Sequence, residues 1–355
     1  MTVQAGNEQP SRLDALRSRK RPEFFAALGL VFVLLIVVWL IYNFVNTPQE
    51  FVNVSLIGLT TGAVYGLIAM GYTLVYGILQ LINFAHGDVF ALSGLIASSI
   101  IVDIFDLTPA DTAFVVGVGI VATLAMTMAF GATINATIEM IGYRRLRSQP
   151  RLTMLISAVG MSFIVQNISL AIYGVAFRPS PGLIHRTPAF TIGDVSFAWN
   201  KLAVVLITIP VLVLLTWLVR STKQGKAMRA TAQDQDAAAM MGINVNRTIS
   251  FTCVLAGSLA GAAGVLYLLQ FNMRYDTGFE LGLIAFTSAV LGGIGNLAGA
   301  ALGGLLIGFI QAYNEGLTEF APGSDWTRSI VFGILIAILV FRPEGLLGER
   351  TPEGG

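Results

Sequence analysis

The chain has 355 residues, of which 55% are hydrophobic and only 12% are charged, and its mean hydropathy is +0.76. This composition excludes a soluble protein, because several stretches reach the roughly 20 apolar residues with which a helix crosses a bilayer. The net charge of +1 says little about partners, and the single cysteine, Cys253, excludes a disulfide within the chain. The sequence therefore predicts an all-α polytopic membrane protein.

Nine apolar blocks follow one another along the chain. They cover residues 24–45, 53–80, 84–105, 112–140, 152–175, 202–219, 248–270, 280–313 and 328–341. The first block has no small-residue cleavage site at its end, so we interpret it as a retained helix rather than a signal peptide. The block at 280–313 is too long for one span and is interrupted at 292–296. We expect it to split in two, which gives about 8–10 transmembrane helices, some of them discontinuous.

The positions of Lys and Arg predict the orientation, since cytoplasmic loops are enriched in these residues. The tail before Phe24 is basic, as are the segments at 144–151 and 220–247, whereas the loop at 102–111 carries three Asp and no cation. If the block at 280–313 is split, sixteen of the 21 cations fall on the cytoplasmic side. We therefore expect both termini in the cytoplasm.

This organisation divides the chain into one large transmembrane domain and its flanks. We predict a cytoplasmic tail (1–23), an accessory transmembrane helix (24–45), a transmembrane domain (46–342) and a C-terminal cytoplasmic tail (343–355). The only substantial external loop, 176–201, is rich in Pro and Gly, which indicates turns. It either caps the pathway, touches an external partner or simply connects two spans.

A polar stretch, Arg220–Arg247, lies between two apolar blocks. Ala, Met and Gln favour a helix from Gly225 to Met241, and Gly242 follows where a helix end accepts a positive φ. One interpretation is a solvated loop that carries cytoplasmic charges. The other is a helix that docks a soluble partner, and the run Asp236–Ile243 favours it.

Polar residues also stand between the second and third apolar blocks, where Asn83, His86 and Asp88 surround Gly87. Burying such groups without partners costs roughly 2–7 kcal/mol for a neutral polar group, so we expect a broken helix that faces protein or a water-filled cavity. These side chains either cap helix ends or form a gate on a substrate path. A metal site at His86 is not expected, because the other histidine, His185, should lie across the membrane.

The run Gly292–Gly304 resembles a second break in the other half of the chain. Interrupted helices at corresponding places in two halves point to the binding site of a transporter. Gly292, Gly293 and Asn296 are therefore further gate candidates. The alternative is close helix packing through small residues.

Several kinds of site are missing from the sequence. It has no GxxxxGK[ST] loop for ATP phosphates, no metal-ligand cluster and no nucleophile paired with a base. The apolar blocks also contain few ionisable groups, unlike those of proton- or sodium-coupled carriers. We predict no catalytic residue, no metal and no cofactor, and therefore no enzyme.

Taken together, the motifs identify a family resemblance. In chain order they are Gly71–Gly77, Asn83-Phe84-Ala85-His86-Gly87-Asp88, Gly242-Ile243-Asn244, AVLGGIGN at 289–296, and Arg342-Pro343-Glu344-Gly345-Leu346. They resemble the branched-chain amino-acid ABC transporter permeases, specifically the permease subunit of the high-affinity importer. The resemblance covers about residues 51–348, while the leading segment before residue 46 is longer than expected for such a permease.

The resemblance implies a heteromeric importer in a bacterial inner membrane. This permease would pair with a second related permease, two cytoplasmic ATPases would dock beneath them, and a periplasmic binding protein would deliver the substrate; no nucleic acid is involved. The run Asp236–Ile243 is similar to the coupling segment of such permeases. It implies coupling roles for Asp236, Ala238, Ala239, Gly242 and Ile243. This chain departs from the family's Glu-Ala-Ala signature, because its acidic residue is Asp236 and its alanine run is longer.

Two classes of function follow from these observations. The first is an ABC importer permease for branched-chain or other small neutral amino acids, or for the urea and short amides that sibling permeases carry. The second is a stand-alone channel or secondary carrier that uses the Asn83–Asp88 break as its filter. Transport by the isolated chain distinguishes the two.

Overall fold

The computed structural model describes residues 29–348 apart from residues 30, 32, 148, 186, 193 and 194. Twelve α-helices and one β-hairpin form within the described residues. They are α1 (Val33–Asn46), α2 (Pro48–Leu79), α3 (Ala85–Ser99), α4 (Ala113–Ile138), α5 (Arg151–Tyr173), β1 (Pro188–Ile192), β2 (Val195–Ala198), α6 (Trp199–Ser221), α7 (Lys223–Gln233), α8 (Gln235–Met240), α9 (Val245–Leu268), α10 (Thr277–Gly292), α11 (Leu297–Gly316) and α12 (Thr327–Phe341). Short π-helical turns continue α3 (Ile100–Ile104) and α4 (Glu139–Tyr143), and 3₁₀ turns lie at Arg144–Leu146 and Ser324–Trp326.

Eight helical segments are long and apolar enough to cross a membrane, and α1 and α10 are shorter apolar helices. The eight are α2, α3 with its π turn, α4 with its following turns, α5, α6, α9, α11, and α12 with its preceding turn. This confirms the all-α polytopic class. The long block at 280–313 does divide into α10 and α11, as the interruption at 292–296 predicts.

Three helices form the centre of the bundle. In the most apolar window of each span, 56% of the residues of α2 and 72% of those of α3 and α9 are buried within the chain. The corresponding share is 22% for α4, α5 and α6, and 11% for α12. A helix that is apolar all round can be buried on every side, and α2 follows this rule from Thr60 to Val75.

Small residues bring the backbones of α2 and α11 into direct contact. A Cβ on Gly304 would overlap the backbone of Gly66, and a Cβ on Gly308 would overlap that of Gly62. In a membrane, helices associate through such close contacts because lipid is as apolar as the side chains. The later residues of the run Gly292–Gly304, such as Gly304, therefore serve close helix packing.

Five segments meet on one face of the bundle. They are the α2–α3 turn (80–84), the end of α4 (139–147), α7 and α8 with the residues that follow (223–244), the α10–α11 loop (293–296) and the C-terminal segment (342–348). Arg147 bonds to Asn246 across 2.7 Å, and Asn296 Nδ2 donates to the carbonyl oxygen of Leu347 across 2.8 Å. We call this the basic face, since ten of the fourteen Lys and Arg among the described residues lie in these segments or within four residues of them.

The external loop at 176–201 differs from the expectation of turns alone. It contains the antiparallel hairpin β1–β2, with Phe190 opposite Phe197. Aromatic and β-branched residues favour strands, and in the sequence the surrounding Pro and Gly obscured that preference. Arg178 pairs through its backbone with Met273, so the loop is fixed to the connection between α9 and α10 on the face opposite the basic face.

The described part of the N-terminal block includes α1, which contacts the segment after α11. Trp39 Nε1 and Asn43 Nδ2 donate to the carbonyl oxygen of Glu319, at 2.8 and 3.3 Å. The predicted tail 1–23 and the first residues of the predicted helix 24–45 lie outside the described residues. The accessory span stays a prediction.

Replacing Gly304 by Ala tests the close contact of α2 with α11. We expect a loss of about 1–3 kcal/mol, because the added methyl group overpacks against the backbone of Gly66. The matched control is Gly117→Ala in α4, where a Cβ meets nothing within 4 Å and a helix gains about 0.5–1 kcal/mol. Thermal unfolding of both variants in detergent should lower Tm for the first only; equal Tm values would contradict the packing role.

Candidate functional site

The polar stretch between α6 and α9 forms two helices rather than the single helix expected from Gly225 to Met241. The chain is extended at Asp234, with φ −153° and ψ 114°, and this residue separates α7 from α8. Asp234 Oδ1 accepts hydrogen bonds from the backbone N–H groups of Asp236 and Ala237, both at 2.9 Å. An aspartate that caps a new helix outweighs the propensity of its neighbours to continue the old one.

The elbow between α6 and α7 is held by three kinds of contact. Arg229 Nη1 donates to the carbonyl oxygens of Val219 and Arg220 at the end of α6. Thr222 accepts from the N–H of Gly225 at 3.0 Å and so caps α7. A Cβ on Gly225 would overlap the carbonyl group of Val219, so the two helices meet as closely as their backbones allow.

The short helix α8 has one buried side and one exposed side. Ala238 is 4% exposed, whereas Met240 and Met241 are 83% and 82% exposed, and Asp236 and Ala239 are also exposed. Two adjacent methionines therefore project from a polar surface. Methionine is adaptable and is overused on binding surfaces.

Gly242 ends α8 as the sequence predicts. Its φ is +82°, and its N–H donates to the carbonyl oxygen of Ala239 at 3.0 Å. The N–H of Ile243 donates to the carbonyl oxygen of Ala238, also at 3.0 Å, which closes the turn. Asn244 then caps α9 by accepting from the N–H of Arg247 at 3.0 Å.

The α2–α3 break spans Gln80–Phe84, and Asn83 lies inside it. The Asn83 side chain is buried and accepts a 2.5 Å hydrogen bond from the hydroxyl group of Tyr143. Its amide nitrogen donates to Asn135 Oδ1 at 3.3 Å, and Asn135 in turn donates to the carbonyl oxygen of Cys253 at 2.7 Å. Asn83 thus connects the break to α4 and α9.

His86, Gly87 and Asp88 lie in the first turn of α3 and face protein. The His86 ring packs edge-on against Tyr72, with centroids 4.8 Å apart, and Asp88 accepts a hydrogen bond from Ser162. A Cβ on Gly87 would overlap the backbone of α10, so Gly87 serves close packing rather than loosening the chain. No side chain caps the start of α3, so the capping interpretation is wrong; a gating role stays a prediction.

The α10–α11 break is confined to residues 293–296. Gly293 and Gly295 have φ of +106° and +97°, values that suit glycine, and Gly292 packs against Gly299. Asn296 caps α11 by accepting from the N–H of Gly299 at 3.0 Å, and it also bonds to Leu347. The C-terminal segment therefore covers this break.

A cavity of about 440 Å³ lies between α2, the α6–α7 elbow and the α10–α11 break. Its lining includes Thr73, Gly77, Arg229, Thr252, Asn296 and Leu297. Among the predicted gate residues, Asn296 lines this cavity. The other candidates do not line it: Asn83, His86, Gly87, Asp88, Gly292 and Gly293. A mixed apolar and polar lining suits a small solute.

Sequence reasoning did not single out Glu139, which lies at the end of the apolar block 112–140 and is the buried centre of an ion cluster. Glu139 is 0% exposed and forms salt bridges with Arg144, at 3.1 Å, and with Arg147. Ser250 of α9 donates to its Oε2 at 2.8 Å. The spacing of one carboxylate followed by arginines five and eight residues later was the available signal. Within the described ranges, no group of three His, Cys, Asp or Glu is arranged to hold a metal ion.

Comparisons with known proteins identify the class of this architecture. Residues 54–340 match the family described as "Branched-chain amino acid transport system / permease component". The chain is 37% identical, over 86% of its length and 97% of the relative's, to the high-affinity branched-chain amino acid transport system permease protein BraD of Pseudomonas aeruginosa. It is 35% identical to the corresponding protein LivH of Escherichia coli, over 83% of this chain and 95% of that one.

Replacing Asp234 by Ala tests which aspartate shapes the segment. We expect α8 to lose about 0.5–2 kcal/mol of local stability, because its first N–H groups lose their acceptor. Hydrogen exchange of the amides at 236–241 should therefore accelerate. Asp236→Ala is the control, since the Asp236 side chain is exposed and does not cap α8. Faster exchange in the control alone would contradict this assignment.

Proposed function

This chain belongs to the family of branched-chain amino acid transport system permease components, and on that premise we propose that it works as one half of an ATP-driven importer. As a multi-pass membrane protein, it would form the transmembrane path with a second, related permease. Two ATPase subunits would supply the energy, and a periplasmic binding protein would deliver the solute. The family describes its members as a component of a transport system, which supports a multi-subunit assembly.

The observation that carries the proposal is the exposed side of α8. Met240 and Met241 project next to Ala239 from a helix whose other side is seated on the bundle through Ala238. A soluble protein that covers this side would remove two large apolar side chains from water. We assign Asp236, Ala238, Ala239, Gly242 and Ile243 to the coupling segment, with Ala238 and Gly242 shaping it and the exposed residues contacting the ATPase.

The charge distribution supports the orientation that docking requires. Cytoplasmic loops are enriched in Lys and Arg, and α7, α8 and the C-terminal segment all lie on the basic face. We therefore place the basic face, and the C-terminus, in the cytoplasm. The hairpin β1–β2 then lies on the periplasmic side, where a binding protein delivers its solute.

The substrate that we propose is a branched-chain or similar small neutral amino acid. The names of the relatives support it, and so does a cavity whose walls combine the apolar Leu74, Ile78 and Met228 with the polar groups of Thr73, Asn296, Arg220 and Arg229. Apolar walls suit an aliphatic side chain. Urea or a short amide lacks such a side chain and would leave these walls in contact with water.

A stand-alone carrier is the second candidate, because His86 and Asp88 are both buried in a membrane helix. Ionisable groups in such positions often serve proton or ion coupling. Both residues, however, lie in the first turn of α3, near one end of the span rather than its middle. We therefore rank this function below the importer.

Reconstitution in proteoliposomes tests the proposed function. The complex isolated from its native membrane should contain ATPase subunits and a second permease, and it should accumulate labelled leucine only with ATP and the binding protein. Unlabelled valine and isoleucine should compete, whereas urea and acetamide should not. Transport by the isolated chain under an ion gradient would instead establish the carrier.

The substitution Ala239→Arg tests the docking surface. We expect the ATPase subunits to be lost from the purified complex, because a bulky charge is placed in the centre of a buried interface, while the chain remains folded. The control is Gln233→Arg at the end of α7, which adds the same charge at an exposed position of the same face. Retention of the ATPase by the Ala239 variant would contradict docking through α8.

A further inference from the structure

A π-helical turn at the end of α4, Glu139–Tyr143, joins the two segments that the sequence singled out. Glu139 and Tyr143 begin and end this turn, and both are fully buried. Such turns within α-helices are rare and frequently lie at functional sites. This turn directs one side chain towards α9 and the other towards the α2–α3 break.

The Glu139 side of the turn is tied to the segment that directly follows α8. Glu139 pairs with Arg147, and Arg147 Nη1 donates to Asn246 Oδ1 at 2.7 Å. Ser250, one turn further along α9, donates to Glu139 Oε2 at 2.8 Å. Since Asn246 lies only three residues after Ile243, a displacement of α8 that moves the start of α9 acts directly on this cluster.

The Tyr143 side is tied to the α2–α3 break. The Tyr143 hydroxyl group donates to Asn83 Oδ1 at 2.5 Å, and Asn83 lies three residues before His86. Asn83 Nδ2 also donates to Asn135 Oδ1, and Asn135 Nδ2 donates to the carbonyl oxygen of Cys253 in α9. A shift of the turn is therefore delivered to the residues that begin α3.

We propose that Glu139 and Tyr143 are positioning residues that transmit movement of α8 to the α2–α3 break. The proposal rests on the proposed importer function, in which an ATPase displaces α8. Three bonds join the end of α4 to the start of α9: Arg147 donates to Asn246, Arg144 donates to Ser250, and Ser250 donates to Glu139. Each involves a charged group and is therefore stronger than a neutral hydrogen bond, so the two segments move as one unit. The buried Tyr143–Asn83 bond then extends that unit to α3.

A second connection between α8 and the core is weaker. Gln235 Nε2 donates to the carbonyl oxygen of Ile78 at 3.4 Å, and the Gln235 side chain begins at an exposed position. This bond is neutral and long, whereas the bonds from α9 to Arg147 and Glu139 are charge-assisted and 2.7–2.8 Å long. The route through Glu139 is therefore the stiffer one.

Hydrogen exchange in the full chain tests the relay without any partner. Asn246→Ala removes the acceptor of Arg147, and we expect amide exchange at 80–86 to accelerate roughly five- to thirtyfold, as a loss of 1–2 kcal/mol implies. In a Tyr143→Phe background, the same substitution should add little further. Thr137→Val in α4 is the control, because the Thr137 hydroxyl group is exposed and bonds only within its own helix. Additive effects of the two substitutions, or no change at 80–86, would overturn the relay.

Transport per ATP in the reconstituted importer provides the functional measurement. For Tyr143→Phe and Glu139→Gln we expect ATP hydrolysis to persist while uptake per ATP falls by about fivefold or more. If uptake and hydrolysis fall together, both residues are merely structural and the inference is wrong. If the unaltered complex shows no ATP-driven uptake, the importer function fails instead, and the exchange experiment still decides the relay.

Discussion

Contact between helix backbones is the constraint on which this structure depends. Lipid does not drive apolar helices together, so the central helices approach through glycines, such as Gly66 against Gly304 and Gly87 against α10. These contacts fix where the chain breaks lie. Because α11 is pressed against α2, its N-cap Asn296 lies on the same cavity as Thr73. The helix packing thus places the α10–α11 break beside α7, whose residues Met228, Arg229 and Ala232 line the same cavity.

Buried polar groups are the second constraint. Their hydrogen bonds connect helices that close packing only brings into contact. Glu139, Asn83 and Asn135 are enclosed in a protein interior where an unpaired polar group is costly, and each has a partner on a neighbouring helix. Such bonds have fixed geometry, unlike contacts between apolar side chains. The helices are therefore joined by directional bonds at the basic face and mainly by close packing in the membrane interior.

The sequence predicts the features that depend on composition and on local residue types. Hydropathy gives the spans, the interruption at 292–296 predicts the separation of α10 from α11, and Gly242 predicts the end of α8. The break at Asp234 was missed because two effects compete there. The alanine-rich neighbours favour one continuous helix, whereas the Asp234 side chain caps a new helix. The ion cluster of Glu139 was missed for another reason. Its partners Ser250 and Asn246 are about a hundred residues away, and only the tertiary fold brings them together.

The two junctions of α8, with α7 and with α9, are held by different contacts. This difference sets the direction in which a displacement of α8 by a partner would be transmitted. The start of α9 is bonded to the segment that follows α4, since Arg147 donates to Asn246 and Ser250 donates to Glu139. Between α7 and α8, Asp234 is exposed, and its carboxylate accepts hydrogen bonds from the backbone N–H groups of Asp236 and Ala237. A local cap permits rotation of α8 against α7, whereas charge-assisted bonds between two segments resist their separation. If an ATPase acts on Met240 and Met241, as the proposed function requires, the force is therefore carried into α9 and the end of α4, towards Asn83, rather than back through α7.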